Sequence, residues 1–186
     1  MKSFFTKRPV QGWAQRKRLQ FFHRYLETGG RFLEVGAGSG WVRDALADIQ
    51  GAVYTGIDLV PPADIVGDIN CWLQLGLKAE SFDTIIAFEV VEHVDCFQAC
   101  FDLLKPGGKM LITTPLPETD WILRITEFLG LNQKRTSPHD HLIHLSRVPL
   151  FDQKDIRIIL GLGQWAIFTK LQILRICHSG KVKHTE

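Results

Sequence analysis

Residues 34–40 read Glu-Val-Gly-Ala-Gly-Ser-Gly, a carboxylate followed by glycines at positions 36, 38 and 40. Glycines at that spacing let a backbone turn sharply and approach a ligand without Cβ clashes. A helix starting just beyond them would aim its unpaired N–H groups at whatever lies there. A dinucleotide-binding loop would place its third glycine at position 41, where this chain has Trp41, which weakens a nicotinamide reading. Asp58, well beyond Gly40, ends a second β-rich run. A carboxylate there can accept hydrogen bonds from both the 2′- and 3′-hydroxyls of a ribose. Glu34 would repel a pyrophosphate and would favour an ammonium instead.

These groups must be brought to one edge of the fold. In an open parallel sheet, ligands bind at the carboxyl ends of the strands where the strand order reverses. The spacing of Trp13, Leu19, Phe21, Phe22, Tyr25 and Leu26 predicts an N-terminal amphipathic helix over 11–27, ended by Gly29-Gly30. Strands are expected at Arg31–Val35, Val53–Ile57, Asp64–Val66, Phe82–Phe88 and Lys109–Thr113, the fourth apolar enough to be buried on both faces. Helices are expected at Trp41–Ile49 and over 95–104. Alternation at that pitch implies right-handed βαβ units in an α/β fold with helices on both faces of the sheet. Beyond residue 115 the rhythm changes to a helix at Glu118–Leu129, a polar loop at Asn132–Ser146, a helix at Asp152–Leu160 and strand character at Gln164–Ile176. No repeat or linker divides the chain, so residues 1–186 read as one domain, with a core over 31–115 and a lid or substrate segment over 116–146.

A ligand with a ribose, an amino group and a carboxylate in place of pyrophosphate is S-adenosylmethionine. In keeping with that, the sequence resembles the class I S-adenosylmethionine-dependent methyltransferases. The resemblance rests on Glu34–Gly40, Gly56-Ile-Asp58-Leu59, Gly67-Asp68-Ile69-Asn70, Ser81–Ala87, Glu89-Val-Val-Glu-His93-Val94 and Leu104–Lys109, in that order. The Glu-Val-Val-Glu-His run looks most like the small-molecule methyltransferases related to quinone-biosynthesis enzymes. The resemblance implies a Rossmann-like, doubly wound, mostly parallel sheet with an N-terminal helix and a helical lid insertion. It also implies roles: Glu34 and the backbone of Gly36, Ala37, Gly38 and Gly40 hold the methionine moiety. Asp58 grips the ribose, Leu59 packs on the adenine, and Asp68 accepts from the adenine amino group beside the Ile69 backbone. Phe88 and Glu89 border the sulfonium and the acceptor. The lesser alternative for Asp68 is an ordinary turn or cap residue. Such folds end their sheet with a sixth strand and an antiparallel seventh beside the fifth. Only Gln164–Ile176 is available for both, so an incomplete sheet edge is expected.

Methyl transfer from a sulfonium needs alignment above all, and a general base only for a hydroxyl, an acidic carbon or a protonated amine. His93, after the fourth strand, is one candidate, against a hydrogen-bonded structural histidine. The run Pro138-His139-Asp140-His141-Leu-Ile-His144 is the other, with His141 the leading base in it. Its His-x-His spacing is metal-compatible, yet no partner stands at an established zinc spacing, and no metal is expected. In the family such a segment rims the substrate site. Cys96 and Cys100 share a helix face and read as buried small hydrophobes, and neither a Pro-Cys nor an Asn-Pro-Pro-Tyr element follows the fourth strand.

A balance of 22 Lys+Arg against 20 Asp+Glu with 45% hydrophobic residues excludes a disordered chain and a strongly basic nucleic-acid protein. Lys2, Lys7, Arg8, Arg16, Lys17, Arg18 and Arg24 precede the first acid, Glu27, and read as the solvated face of the N-terminal helix, with contact to an anionic substrate, a nucleic acid or a lipid as the alternatives. The longest charge-free run near the C-terminus, Ile158–Thr169, is too short to span a bilayer. No signal peptide is expected, because Lys7 and Arg8 interrupt the apolar start, and four cysteines (Cys71, Cys96, Cys100, Cys177) do not read as a disulfide framework. A cytoplasmic enzyme acting on a small-molecule acceptor is therefore expected. Trp13, Phe21, Phe22, Trp121 and Phe128 are candidates for apolar acceptor walls. The rivals are a non-catalytic S-adenosylmethionine-binding module and a nicotinamide-dependent oxidoreductase.

Overall fold

In the computed structural model, which describes residues 9–119, 142–148 and 150–171, the elements run in order as follows. They are α1 (Pro9–Phe22), β1 (Arg31–Val35), α2 (Trp41–Leu46), β2 (Val53–Asp58), β3 (Ile65–Val66), β4 (Phe82–Phe88), α3 (Phe97–Leu103), β5 (Leu104–Pro115), β6 (Phe151–Ile159) and β7 (Gly163–Lys170). They form a seven-stranded sheet in the order β3-β2-β1-β4-β5-β7-β6. Strands β1 to β5 pair in parallel, and β7 runs antiparallel between β5 and β6. The first five strands are those the sequence predicts, except that β5 begins at Leu104 rather than Lys109; of the expected helices, α2 stops at Leu46 rather than Ile49 and α3 spans Phe97–Leu103 within 95–104.

Side-chain alternation divides the core between the two faces of the sheet. Leu33, Val35, Ile85, Ala87, Met110, Ile112, Ala166 and Phe168 pack with Phe97, Ala99, Cys100 and Leu103 of α3. Phe32, Ile86, Leu111, Trp165 and Ile167 point the other way, onto Phe22 of α1 and Val42 and Leu46 of α2. Phe21 and Phe22 are thus core residues, while Trp13 is exposed. Trp121 and Phe128 lie outside the described residues.

Three expectations change. The N-terminal helix ends at Phe22 and tightens into a 3-10 turn at His23–Tyr25, short of residue 27. The helix expected at Asp152–Leu160 is instead β6 as far as Ile159, since Ile156, Ile158 and Ile159 favour extended backbone and β7 offers a full antiparallel ladder. Consequently the sixth strand comes from residues 151–159, and the sheet edge is complete. Leu160 and Gly161 turn the chain into β7 with φ of 52° and 66°, the positive-φ geometry of primed hairpin turns. Of the lid segment, residues 117–119 form a 3-10 turn and 145–147 another, and the helix expected at 118–129 lies almost wholly outside the described residues.

Gln164 joins that segment to the sheet. Its buried amide donates to Pro115 O (3.2 Å) and Ile143 O (2.9 Å) and accepts from Leu145 N (2.9 Å). Folding also buries two carboxyls, Glu34 and Glu92. Burial pushes both pKa values up to about 8; the Tyr54 hydroxyl opposes the shift at Glu34, and the charge of Glu89 adds to it at Glu92.

Gln164→Met should leave one N–H and two carbonyls buried without partners, lowering unfolding free energy by about 1–3 kcal/mol in urea titration. An unchanged midpoint would mean that residues 143–145 are held by something else. Glu34 and Glu92 bind protons more tightly folded than unfolded, so their contribution is complete below about pH 4.5 and lost as pH rises through about 8. Wild type should therefore lose stability relative to Glu34→Gln across that window, and parallel stability–pH curves would contradict the assignment.

Candidate active site

The chain leaves β1 at Val35 and is at once pinned to β2. Gly36 N and Ala37 N both donate to Ile57 O, at 2.8 and 3.2 Å. Gly36 is in the left-handed region (φ 73°), and a Cβ there would lie 2.4 Å from Val90 Cγ2, so only glycine fits between this turn and the segment after β4. Two residues on, Gly38 N donates to Asp58 Oδ2 at 2.9 Å. Asp58 Oδ1 receives only a long 3.4 Å contact from Val60 N among the described residues. Asp58 therefore both shapes the glycine loop and keeps an acceptor oxygen at the sheet edge.

Beside this loop opens a cavity of about 460 Å³. The ends of β1 and β2 contribute Val35, Gly36 and Asp58; Asp68 and Ile69 follow β3, and Glu89 and His93 follow β4. Leu59 stands on its wall and is otherwise exposed. Asp68 is a cap, as the plainer expectation had it, because its side chain accepts from Asn70 N at 2.9 Å; it lines the cavity as well. The cavity wall carries the carboxylates of Asp58, Asp68 and Glu89 and, among the described residues, no Lys or Arg.

Two expected residues lie elsewhere. Phe88 is not on that wall: its ring stacks between Phe22 (5.1 Å) and Trp41 (5.9 Å) on the α1/α2 face. Glu34 is buried on that same face and accepts from the Tyr54 hydroxyl. Arg43 lies over the Tyr54 ring and pairs with Asp64 at 2.6 Å, and Asp64 accepts from Gly56 N. This network ties α2, β2 and the approach to β3 together beneath the glycine loop.

Glu89 is the most constrained side chain at the site. Its φ is 57°, rare for a residue with a Cβ. Its amide donates to Thr113 O at 2.8 Å, and its Oε1 accepts from Thr113 Oγ1 at 2.8 Å and from Arg18 at 2.5 Å. Neither Arg18 nor Thr113 was singled out by sequence reasoning. Arg18 belongs to the basic run expected on the solvated face of the helix, yet its side chain is only 16% exposed and pairs with Glu89. Nothing in a linear pattern marks a partner 71 positions away. Glu92, within the Glu-Val-Val-Glu-His run, is buried and accepts from Thr114 Oγ1 at 3.0 Å.

Among the histidines, His93 lines the cavity, half-buried, with its amide on Val90 O. His139 and His141 lie outside the described residues. His144 pairs through Nε2 with Glu118 Oε1 at 2.8 Å. Among the described residues, no three His, Cys, Asp or Glu side chains are grouped to hold a metal ion. Cys96 and Cys100 are buried at the start of α3 as expected.

Comparison with known proteins places this geometry. A ubiquinone biosynthesis O-methyltransferase of Xanthomonas euvesicatoria is 34% identical over 52% of this chain and 48% of its own length. The chain thus spans about half the length of such curated relatives. A crystal structure from Pyrococcus horikoshii superposes with a TM-score of 0.67 at 17% identity, covering 91% of this chain and 96% of that one. Phosphoethanolamine N-methyltransferase 2 of Haemonchus contortus, solved with S-adenosyl-L-methionine, superposes with a TM-score of 0.61 at 18% identity, over 91% of this chain and 55% of that one. A family model described as a methyltransferase domain matches residues 8–157, and this chain belongs to that methyltransferase family.

Proposed function

We propose that the cavity beside the glycine loop binds S-adenosylmethionine and that the protein transfers its methyl group to a small-molecule acceptor. The observation that carries this reading is the charge of the wall. Three carboxylates and no Lys or Arg among the described residues suit a ligand that offers ribose hydroxyls and positive charge, and oppose the pyrophosphate of a nicotinamide dinucleotide. The volume falls within the range of about 300–1,000 Å³ usual for ligand sites. The name of the Xanthomonas relative and the ligand of the Haemonchus structure support the same reading.

When bound, S-adenosylmethionine supplies a methyl group on a sulfonium, already activated for in-line displacement. The chain's part is to hold and orient. Asp58 would accept from the ribose hydroxyls with the oxygen not engaged by Gly38. Leu59 and Ile69 would flank the adenine, and Asp68 would accept from its amino group. Gly36, Ala37, Gly38 and Gly40 would let the methionine end lie against backbone, with Glu34 bracing the loop from beneath through Tyr54 and carrying negative charge only as pH rises through about 8. Glu89, fixed by Thr113 and Arg18, would face the positive sulfonium, and Phe88 would back it from the other face. Holding two reactants in line is worth about 7–11 kcal/mol of barrier, which leaves little for acid–base chemistry unless the acceptor itself must lose a proton.

Calorimetric titration with S-adenosylmethionine, S-adenosylhomocysteine and NADH tests the assignment. The first two should bind and NADH should not. In Asp58→Ala, losing charge-assisted bonds of about 1.5–3 kcal/mol each should weaken both by at least tenfold. Binding of NADH, or no binding of either adenosyl ligand to folded protein, would sink the proposal.

A further inference from the structure

Strand β6 closes one end of the sheet, and among the described residues it pairs only with β7. An outer edge of this kind presents backbone N–H and C=O groups as a template for another strand. A lone charge on an edge strand discourages such pairing. β6 instead carries two charges of opposite sign, Asp155 and Arg157, two positions apart and so on one face of the sheet. That is the face covered by α1, since Arg24 reaches Asp155 and Arg157 lies 5.1 Å over the Phe21 ring. On the opposite face the same stretch is apolar: Ile156 packs against the α3-side core, and Ile158 is 62% exposed.

Asp155 is only loosely paired within its own chain. Arg24 approaches its Oδ2 at 3.3 Å and Arg157 approaches the same oxygen at 3.5 Å. Both distances exceed the roughly 2.7–2.9 Å of a strong charge-assisted bond. The order of the two charges has a consequence under symmetry. When two copies of one strand pair antiparallel about a twofold axis, residues equally far on either side of the axis face each other. With the axis at Ile156, Asp155 of each copy faces Arg157 of the other. An axis at Asp155 or at Arg157 would set like charges opposite each other, which destabilises a cross-strand pair. The regular ladder over Asp155–Ile159 holds the favourable register, and the irregularity in β6 falls before it, between Gln153 and Asp155. On the apolar face Ile156 then meets its own counterpart, with the two Ile158 side chains diagonal to them.

We propose that β6 pairs antiparallel with β6 of a second copy of this chain, about a twofold axis at Ile156, joining the two sheets into one. The second copy is the occupant that the charges select. A foreign strand would have to bring an acid and a base at matching positions, whereas symmetry supplies both from Asp155 and Arg157. Two ion pairs line one face of the seam and four isoleucines the other, so the strand is complementary to itself on both faces. β7 and β5 separate β6 from β4 in the sheet, and the cavity beside the glycine loop draws none of its wall from β6. Pairing at this edge is therefore independent of what that cavity binds.

Sedimentation velocity over about 1–100 μM protein tests this. Wild type should pass from monomer to dimer within that range. Asp155→Arg and Arg157→Asp each set like charges face to face at two places, and each should weaken association by about tenfold or more. Mixing those two variants should restore the dimer as a heterodimer, because one chain then offers two positive positions and the other two negative ones. Ile158→Lys lies on the apolar side of the seam and alters neither charge; it should weaken association as well. All three variants should keep the far-UV circular dichroism of wild type, since the altered side chains stand at the surface or edge of the monomer. A wild type that stays monomeric at about 100 μM, an association indifferent to either charge reversal or to Ile158→Lys, or a mixture of the two reversed variants that stays monomeric would overturn the proposal.

Discussion

The loop leaving β1 is pinned to β2, and the rest of the site depends on it. Ile57 O receives the amides of both Gly36 and Ala37, and Asp58 Oδ2 receives that of Gly38. The parallel register sets Val35 level with Ile57 on one side and Ala87 on the other, so three strands end together. A carboxylate, a glycine turn and the segment after β4 are thereby forced to one edge. The close approach of Gly36 to Val90 is the tightest point of that assembly, because no side chain can stand between them.

The second constraint is electrostatic. Three carboxylates surround one cavity, and like charges so placed repel one another unless something compensates. The protein compensates at its walls: Gly38 N bonds Asp58, Asn70 N bonds Asp68, and Arg18 with Thr113 bonds Glu89. The left-handed backbone at Glu89 costs of order 1–3 kcal/mol and is offset by two bonds with Thr113 and the ion pair from α1. The N-terminal helix is thus tied to the site by a side chain, while its aromatic residues Phe21 and Phe22 anchor it to the sheet through Trp165. A cationic, hydroxyl-bearing ligand suits this arrangement of charge, and an anionic one would be repelled by Asp58 and Asp68, which accept from backbone amides rather than from a cation.

Much of this was legible in the sequence, for definable reasons. Strands β1, β2 and β4 announce themselves through apolar runs stopped by Gly36, Asp58 and Glu89, and the glycine spacing carries the loop geometry directly. Local pattern misled at Asp152–Leu160, where helical spacing and β-branched composition compete and the edge offered by β7 decides for a strand. Phe88 illustrates another limit: adjacent residues on a strand point to opposite faces, so Phe88 and Glu89 could not both face one cavity once Glu89 did. Arg18 was out of reach, since a largely buried ion pair between an early helix and the end of β4 has no sequence signature. His144 was visible as a histidine, but its partner Glu118 stands far earlier in the chain, and only the fold brings the two together.

The proposed donor site stands or falls on a ribose hydroxyl binding where Asp58 leaves an oxygen at the sheet edge. A crystal structure with S-adenosylhomocysteine tests this most directly. Ribose oxygens should lie within hydrogen-bonding distance of the Asp58 carboxylate, the adenine between Leu59 and Ile69, and the sulfur toward Glu89. A ligand lodged elsewhere, or in the cavity with its ribose away from Asp58, would contradict it.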